Sequence, residues 1–291
     1  MNQLHPRRGV MLVLAMLTGF PATSYAGPAD RFADVDITAE PVSGSVYMLT
    51  GAGGNIGVSV GEDGTLIIDD QFAPLADRIQ AALKDLGGGK PKLVLNTHFH
   101  GDHTGSNAHF GKSGTIIAHD NVRIRLLEEE MERSGLPLVT YADGINVHFN
   151  DEEIQVLHLP TGHTDGDSVV WFKTAKVIHM GDLLFVDRFP FIDVDNGGSV
   201  GGFLRNLETA LDMTPEDTQV IPGHGPLTDR SAITRSIEMI RGTRAIVAEQ
   251  VAEGLSAAAI TEQGLGAEWT SFGAGFISEG RWIQTLLTDF Q

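Results

Sequence analysis

The sequence predicts an α/β protein, an αβ/βα sandwich with a ligand site along one edge. Two observations carry this. Two β-rich stretches, each followed by helical segments, match a layered α/β architecture. Short apolar runs then end repeatedly at a glycine beside a His or Asp, which puts potential ligands on strand-end loops.

Taken in order, residues 46–49, 56–60 and 65–69 read as successive strands, with Gly61-Glu62-Asp63-Gly64 as a hairpin turn. Residues 75–86 carry apolar side chains at helical spacing and stop at Gly87-Gly88-Gly89. Strands follow at 93–95 and 115–118, then a charged helix over 121–133 whose start, His119-Asp120-Asn121, offers Asp120 as its cap. Residues 144–159 hold two strands, and 168–172 and 177–180 one each. A helix over about 203–211 precedes a strand at 219–221, and 231–251 forms a longer helix. From Gly254 onward the pattern weakens. The Gly-rich stretch 264–275, with Trp269 and Phe272, reads as irregular surface packing, with a flap or an oligomer contact as alternatives.

The densest chemistry is Asn96-Thr97-His98-Phe99-His100-Gly101-Asp102-His103-Thr104-Gly105, directly after Leu93-Val94-Leu95. Imidazoles and a carboxylate crowded like this are costly to bury without compensation, and a divalent cation supplies it. His98 and His100 are two apart on an extended segment and point to one side, so they can bind one ion together. Gly101 then lets the chain turn, so that Asp102 and His103 can face a second ion. Nitrogen and oxygen donors without thiolate suit zinc, with iron and manganese as alternatives. Three later segments each add one potential ligand after a β-type run: His163 in Thr161-Gly162-His163-Thr164, Asp182 in Met180-Gly181-Asp182, and His224 in Pro222-Gly223-His224-Gly225.

From about Val46 to about Asp229 this pattern resembles the metallo-β-lactamase superfamily. The resemblance implies a four-layer αβ/βα sandwich with the metal site at the strand-end edge. It also implies two Zn2+ per chain. His98, His100 and His163 would hold the first, Asp102, His103 and His224 the second, and Asp182 would bridge them. Asp69, after Leu66-Ile67-Ile68, matches the family's supporting acidic residue behind the site. Cysteine is absent, so the branches with a zinc-bound thiolate are not matched, nor is any lysine found where those branches place their carboxylate anchor.

A zinc pair lowers the pKa of a shared water toward neutrality, so no side-chain nucleophile is needed. Asp102 is the candidate for general acid/base work. The expected function is zinc-dependent, β-lactamase-like hydrolysis of a small amide, lactam, lactone or ester. Alternatives are a glyoxalase II-type thioesterase, suggested by Gly181-Asp182-Leu183-Leu184-Phe185, an iron-dependent persulfide dioxygenase-like enzyme, and a non-catalytic metal-binding helper. After Asp182, Arg188 is the nearest cation, a candidate anchor for a substrate carboxylate or a solvated surface residue. Phe189 and Phe191 could cover a pocket mouth, with core packing of one as the alternative. His109, His119, His148, His158 and His179 match no ligand position, and His158 and His179 are expected to be satisfied strand residues.

Residues 1–26 read as an export signal, with His5-Pro6-Arg7-Arg8 as its basic start and Ser24-Tyr25-Ala26 as its cleavage site. One domain would then span 27–291, periplasmic or secreted, with Arg7-Arg8 also admitting the twin-arginine route and no stable membrane span left after signal removal. The net charge of −18 argues against nucleic acid, leaving a small-molecule substrate as the expected partner, and the oligomeric state is open.

Overall fold

A computed structural model describes residues 30–290, so the expected export signal over residues 1–26 lies outside the described residues. The first half runs β1 (Thr38–Ser43), β2 (Val46–Thr50), β3 (Ile56–Gly61), β4 (Gly64–Ile68), α1 (Ala76–Asp85) and β5 (Pro91–Leu95). It continues through the short α2 (Gly101–Thr104) and α3 (Asn107–Phe110), β6 (Thr115–His119), α4 (Asp120–Glu128) and β7 (Val139–Tyr141). The second half runs β8 (Gly144–Phe149), β9 (Glu152–His158), β10 (Ser168–Phe172), β11 (Val177–His179), α5 (Val200–Met213), β12 (Gln219–Ile221) and β13 (Thr228–Asp229). Three helices close the chain: α6 (Arg230–Ala252), α7 (Ala257–Gln263) and α8 (Glu279–Leu287).

The strands make a seven-stranded sheet, β1 to β7 in chain order, and a six-stranded sheet ordered β13-β12-β11-β10-β9-β8. Period-2 alternation builds the layers. Val46, Met48, Leu66, Ile68 and Leu95 point between the sheets, where they meet Ile154, Val156, Val170 and Phe172. Leu49, Ile67 and Val94 point the other way, onto Ile79 and Leu83 of α1. On the far face of the second sheet, Val169 and Ile178 pack under Phe203 of α5, Ile240 of α6 and Trp282 of α8. Helix, sheet, sheet, helix: these are the four layers expected. Burying each of the larger side chains contributes about 1.5–3 kcal/mol.

β4 to β7 run parallel, as do β11 and β12. Their carboxyl ends gather at one edge, where parallel sheets expose their loops to ligands. Asp69, the 96–103 segment, Asp182 and His224 all follow such ends.

Four features differ from expectation. β1, β7 and β13 are additional strands; β1 is an edge strand with mostly exposed side chains, so it carries no alternation to read. α4 ends at Glu128, several residues early. Glu130 turns left-handed (φ 58°), and the Glu130 and Met131 N–H groups close the last turn on Leu127 O (3.2 Å) and Leu126 O (2.9 Å). Met131 packs back on the Leu126 cluster, so the stop is a Schellman closure without its usual glycine. The cap of α4 is His119, whose Nδ1 accepts from Asn121 N–H at 3.2 Å, in place of Asp120. Finally, where the pattern weakens beyond Gly254, α7 and α8 join the core through Ile260, Trp282, Ile283 and Leu286. The stretch 264–275 between them holds a 3-10 segment with no buried residue over 267–274, and its Trp269 and Phe272 are only partly buried against that core. Among the described residues no helix is long and apolar enough to cross a membrane.

Candidate metal centre

All seven residues read as ligands converge at the strand-end edge, in two groups. One is His98, His100, His163 and Asp182; the other is Asp102, His103 and His224. Asp182 sits between them. Its Oδ2 faces His163 Nε2 (3.5 Å) and His98 Nε2 (3.8 Å), while its Oδ1 faces His103 Nε2 (3.0 Å) and His224 Nε2 (3.3 Å). Asp102 Oδ2 lies 3.4 Å from His224 Nε2 and 3.8 Å from His103 Nε2.

Neighbouring groups fix which imidazole nitrogen faces inward. Thr97 donates its hydroxyl to Asp69 Oδ2 (2.8 Å), so His98 Nδ1–H donates to Thr97 Oγ1 (3.0 Å) and leaves Nε2 free. His163 Nδ1–H donates to the Phe191 carbonyl at 2.7 Å, and His103 Nδ1–H to Asp69 Oδ2 at 2.8 Å. His100 is reversed: its Nε2–H reaches Asp193 Oδ2 at 2.9 Å, and Nδ1 faces the centre. With these tautomers three lone pairs meet, His100 Nδ1 being 2.8 Å from His163 Nε2 and 3.1 Å from His98 Nε2. His103 Nε2 and Asp182 Oδ1 are buried 3.0 Å apart and have no other hydrogen-bond partner among the described residues. Converging lone pairs with no proton between them are the environment a cation relieves, so the donor set fits a metal pair. Glycine keeps this space open: a Cβ at Gly54 would strike the His103 ring, and one at Gly223 would strike Asp182 Oδ1.

The two groups differ in charge. Burial pushes His98 well down and His163 down to about 4, against the pull of Asp182. Burial also opposes protonation of His103 and His224, but Asp182, with Asp102, overcomes it. His103 ends well above its ordinary value and His224 at about 9. For the carboxylates burial acts upward, yet His103 and His224 hold Asp182 well below its ordinary value and Asp102 below it.

Asp69 stands where the sequence reading put it, behind His103 and fully buried. Its backbone is left-handed (φ 63°), and its carboxylate also accepts the Thr97 N–H at 2.8 Å. Such a strained residue persists only where its surroundings hold it. Two supports were missed by sequence reasoning. Asp193 holds His100, and Asp167 accepts the His163 N–H (2.6 Å) and the Thr164 hydroxyl, setting the loop that carries His163. Burial raises Asp167 to about 7. Asp193 follows no strand, so nothing local flagged it, whereas Asp167 stands in His163-Thr164-Asp165-Gly166-Asp167, four residues after a ligand, where a local signal could have found it. His158 and His179 are satisfied residues as expected, bonded to the Asp167 carbonyl (2.8 Å) and the Asn55 carbonyl (3.1 Å).

A cleft of about 530 Å3 opens over the centre, with His100, Asp102, Asp182 and His224 as its floor. Its walls are largely apolar, with Phe72, Phe185, Phe191, Phe276 and Ile277. Phe191 is at the mouth, as one of the two expected covers. Phe189 borders the cleft but is only 1% exposed and stacks on Trp282 (5.8 Å, 15°), so it is the packed member of the pair. Arg188 is exposed on the cleft rim and makes no ion pair or side-chain hydrogen bond among the described residues. Arg281 of α8 lies over the Phe191 and Phe276 rings, 5.4 and 5.1 Å from their centroids. The C-terminal segment therefore supplies part of the wall.

The comparisons with known proteins agree with this geometry. Over 180 residues the chain is 31% identical to a probable metallo-hydrolase of Bacillus subtilis, covering 56% of this chain and 84% of that one. It is 32% identical over 123 residues to a hydroxyacylglutathione hydrolase of Mesorhizobium japonicum, 42% of this chain and 43% of the relative, so it spans under half of that protein. In fold it is similar to a metallo-beta-lactamase from Pontibacter korlensis, with a TM-score of 0.63 and 18% identity over 71% of this chain and 99% of the other. A family model for the metallo-beta-lactamase superfamily matches residues 49–224, a span that holds Asp69 and every converging ligand-type residue. The chain belongs to that superfamily.

Proposed function

We propose that the chain is a dinuclear metallo-hydrolase cleaving an acyl bond, as in an amide, lactam, lactone or ester, of a small substrate with an apolar body. One observation carries this: Asp182 turns one oxygen to each half of the centre. In this reading His98, His100 and His163 hold the first ion, Asp102, His103 and His224 the second, and Asp182 both. The donors suit zinc. When bound, the metal pair supplies Lewis acidity and lowers the pKa of coordinated water.

The chain's own residues do the rest. Asp102 lines the cleft, is 25% exposed against 5% for Asp182, and is held ionised by His103 and His224. It is placed to orient a water and to take or return a proton at its carboxylate. Phe185, Phe191 and Phe276 exclude bulk water and hold an apolar substrate body. Arg188 would pair with an anionic group on that substrate at the rim. The relative named a metallo-hydrolase supports hydrolysis as the reaction type. A thioester substrate is the second reading, favoured by the match to a hydroxyacylglutathione hydrolase. Export through residues 1–26 belongs to the same proposal, and a mature N-terminus at Gly27 found by mass spectrometry would support it.

The test is metal analysis of protein purified without added metal, followed by a turnover screen on lactams, lactones, esters, thioesters and phosphodiesters. The proposal expects close to two zinc ions per chain and turnover of an acyl substrate. Iron as the main metal would favour redox chemistry, and phosphodiester cleavage alone would remove the acyl reading.

A further inference from the structure

The reversed histidine points to a positioning residue outside the ligand set. His98, His103 and His163 all turn Nε2 inward and bind outward through Nδ1. His100 turns Nδ1 inward, and its Nε2 meets Asp193 Oδ2 at 2.9 Å. Asp193 is itself held. Its Oδ2 accepts from Asn196 Nδ2 (2.8 Å), its N–H donates to the His163 carbonyl (2.9 Å), and its carbonyl accepts the Gly198 N–H (2.8 Å). Two residues earlier, the Phe191 carbonyl binds His163 Nδ1 at 2.7 Å while the Phe191 ring forms cleft wall. The segment 191–193 thus grips two histidines of the first group at once, and its Phe191 ring lines the cleft.

We propose that Asp193 positions the first metal by fixing His100 as its Nε2–H tautomer, and that segment 191–193 ties this orientation to the cleft wall. The inference rests on the two-metal reading above. A ligating imidazole donates its second N–H to a partner that sets tautomer and ring orientation, and losing that partner lowers metal affinity about 10–100-fold. Asp193 touches no reacting atom, so it acts through His100. The second group has its own support in Asp69 and should be spared.

The experiment compares the full-length protein with Asp193→Ala and Asp193→Asn, titrating zinc against a chromophoric chelator. Wild type should take two ions. Asp193→Ala should weaken one of them about 10–100-fold and leave the other within a few-fold. Asp193→Asn, which keeps an acceptor oxygen, should recover part of the loss. Long-range 15N–1H spectra of zinc-loaded wild type should show His100 as Nε2–H and His98 and His163 as Nδ1–H. General damage to the fold would weaken both ions alike and lower the melting temperature of the metal-free protein, and that pattern overturns the proposal. So does unchanged affinity in both variants, or His100 found as Nδ1–H. A wild-type chain that takes fewer than two ions fails the metal reading itself, and the inference falls with it.

Discussion

The two halves of the centre are built on different principles. In the first, three imidazoles face one point and each outer nitrogen is held, by Thr97, Asp193 and the Phe191 carbonyl. Burial keeps His98 and His163 uncharged at neutral pH. In the second, Asp102, His103 and His224 mix charges. Asp69 holds the outer nitrogen of His103, while His224 stacks on Phe185 (5.1 Å, 11°) and stays partly exposed. Without metal, this half satisfies itself as ion pairs with Asp182 and Asp102. One half is preorganised for a cation; the other holds protons in its place.

Asp182 is where the contrast should break. Asp182→Ala removes the oxygen shared by both halves and leaves His103 and His224 without their strongest counter-charge. Zinc content should fall from two ions toward one or none, with activity near background, as read by elemental analysis and turnover on one preparation. Full zinc content in this variant would show that the carboxylate bridges nothing.

Asp69→Ala should sharpen it. Asp69 accepts from Thr97 N–H, the Thr97 hydroxyl and His103 Nδ1–H in a fully buried place, so its loss orphans donors at about 1–3 kcal/mol each. We expect a clear drop in melting temperature and weaker binding of the second ion by about 10–100-fold. The first ion should suffer less, since Thr97 can still accept from His98. Equal weakening of both ions in a zinc–chelator titration would erase the distinction between the halves.

Most of this centre was legible because its parts stand at strand ends with glycine beside them: His98, His100, Asp102, His103, His163, Asp182 and His224 all announce themselves by residue type and spacing. The four layers were legible too, since residues such as Leu66, Ile67 and Ile68 alternate between two cores. What stayed hidden depends on long-range closure. Asp193 meets His100 across 93 positions of sequence, and Phe276 reaches the cleft only because α8 docks through Trp282. Edge strand β1 and the left-handed turn at Glu130 were hidden for a local reason: neither carries the alternation or the glycine that normally marks such a feature.

Protons offer a third test. His224 titrates near 9 in the folded metal-free chain, above its ordinary 6.5, so its ion pairs stabilise that chain fully below pH 6.5 and are lost as pH rises through 9. His163, at about 4, works in the opposite sense: its contribution is present above 6.5 and lost as pH falls toward 4. The melting-temperature gap between zinc-loaded and metal-free protein should therefore widen from pH 6.5 to 9. Calorimetric zinc titrations at pH 7 in two buffers of different ionisation enthalpy should show more proton release from the second group than from the first. Equal release from both would contradict the charge difference between the halves.

The smallest effect separates the floor of the site from its wall. Phe276 is 79% exposed, so Phe276→Ala should change stability by no more than about 0.5 kcal/mol, and zinc content not at all. Its ring nevertheless lines the cleft and packs edge-on against Phe191 at 6.3 Å, with Arg281 lying over both. Removing it takes apolar contact from the substrate body without touching the groups that polarise the reacting bond. Uniform binding lost in this way raises KM and leaves kcat in place. On the best substrate of the screen we expect KM to rise several-fold, with kcat within a factor of about two. A fall in kcat with KM unchanged would mean that the C-terminal wall acts on the metal floor, and the wall and floor would then have to be treated as one unit.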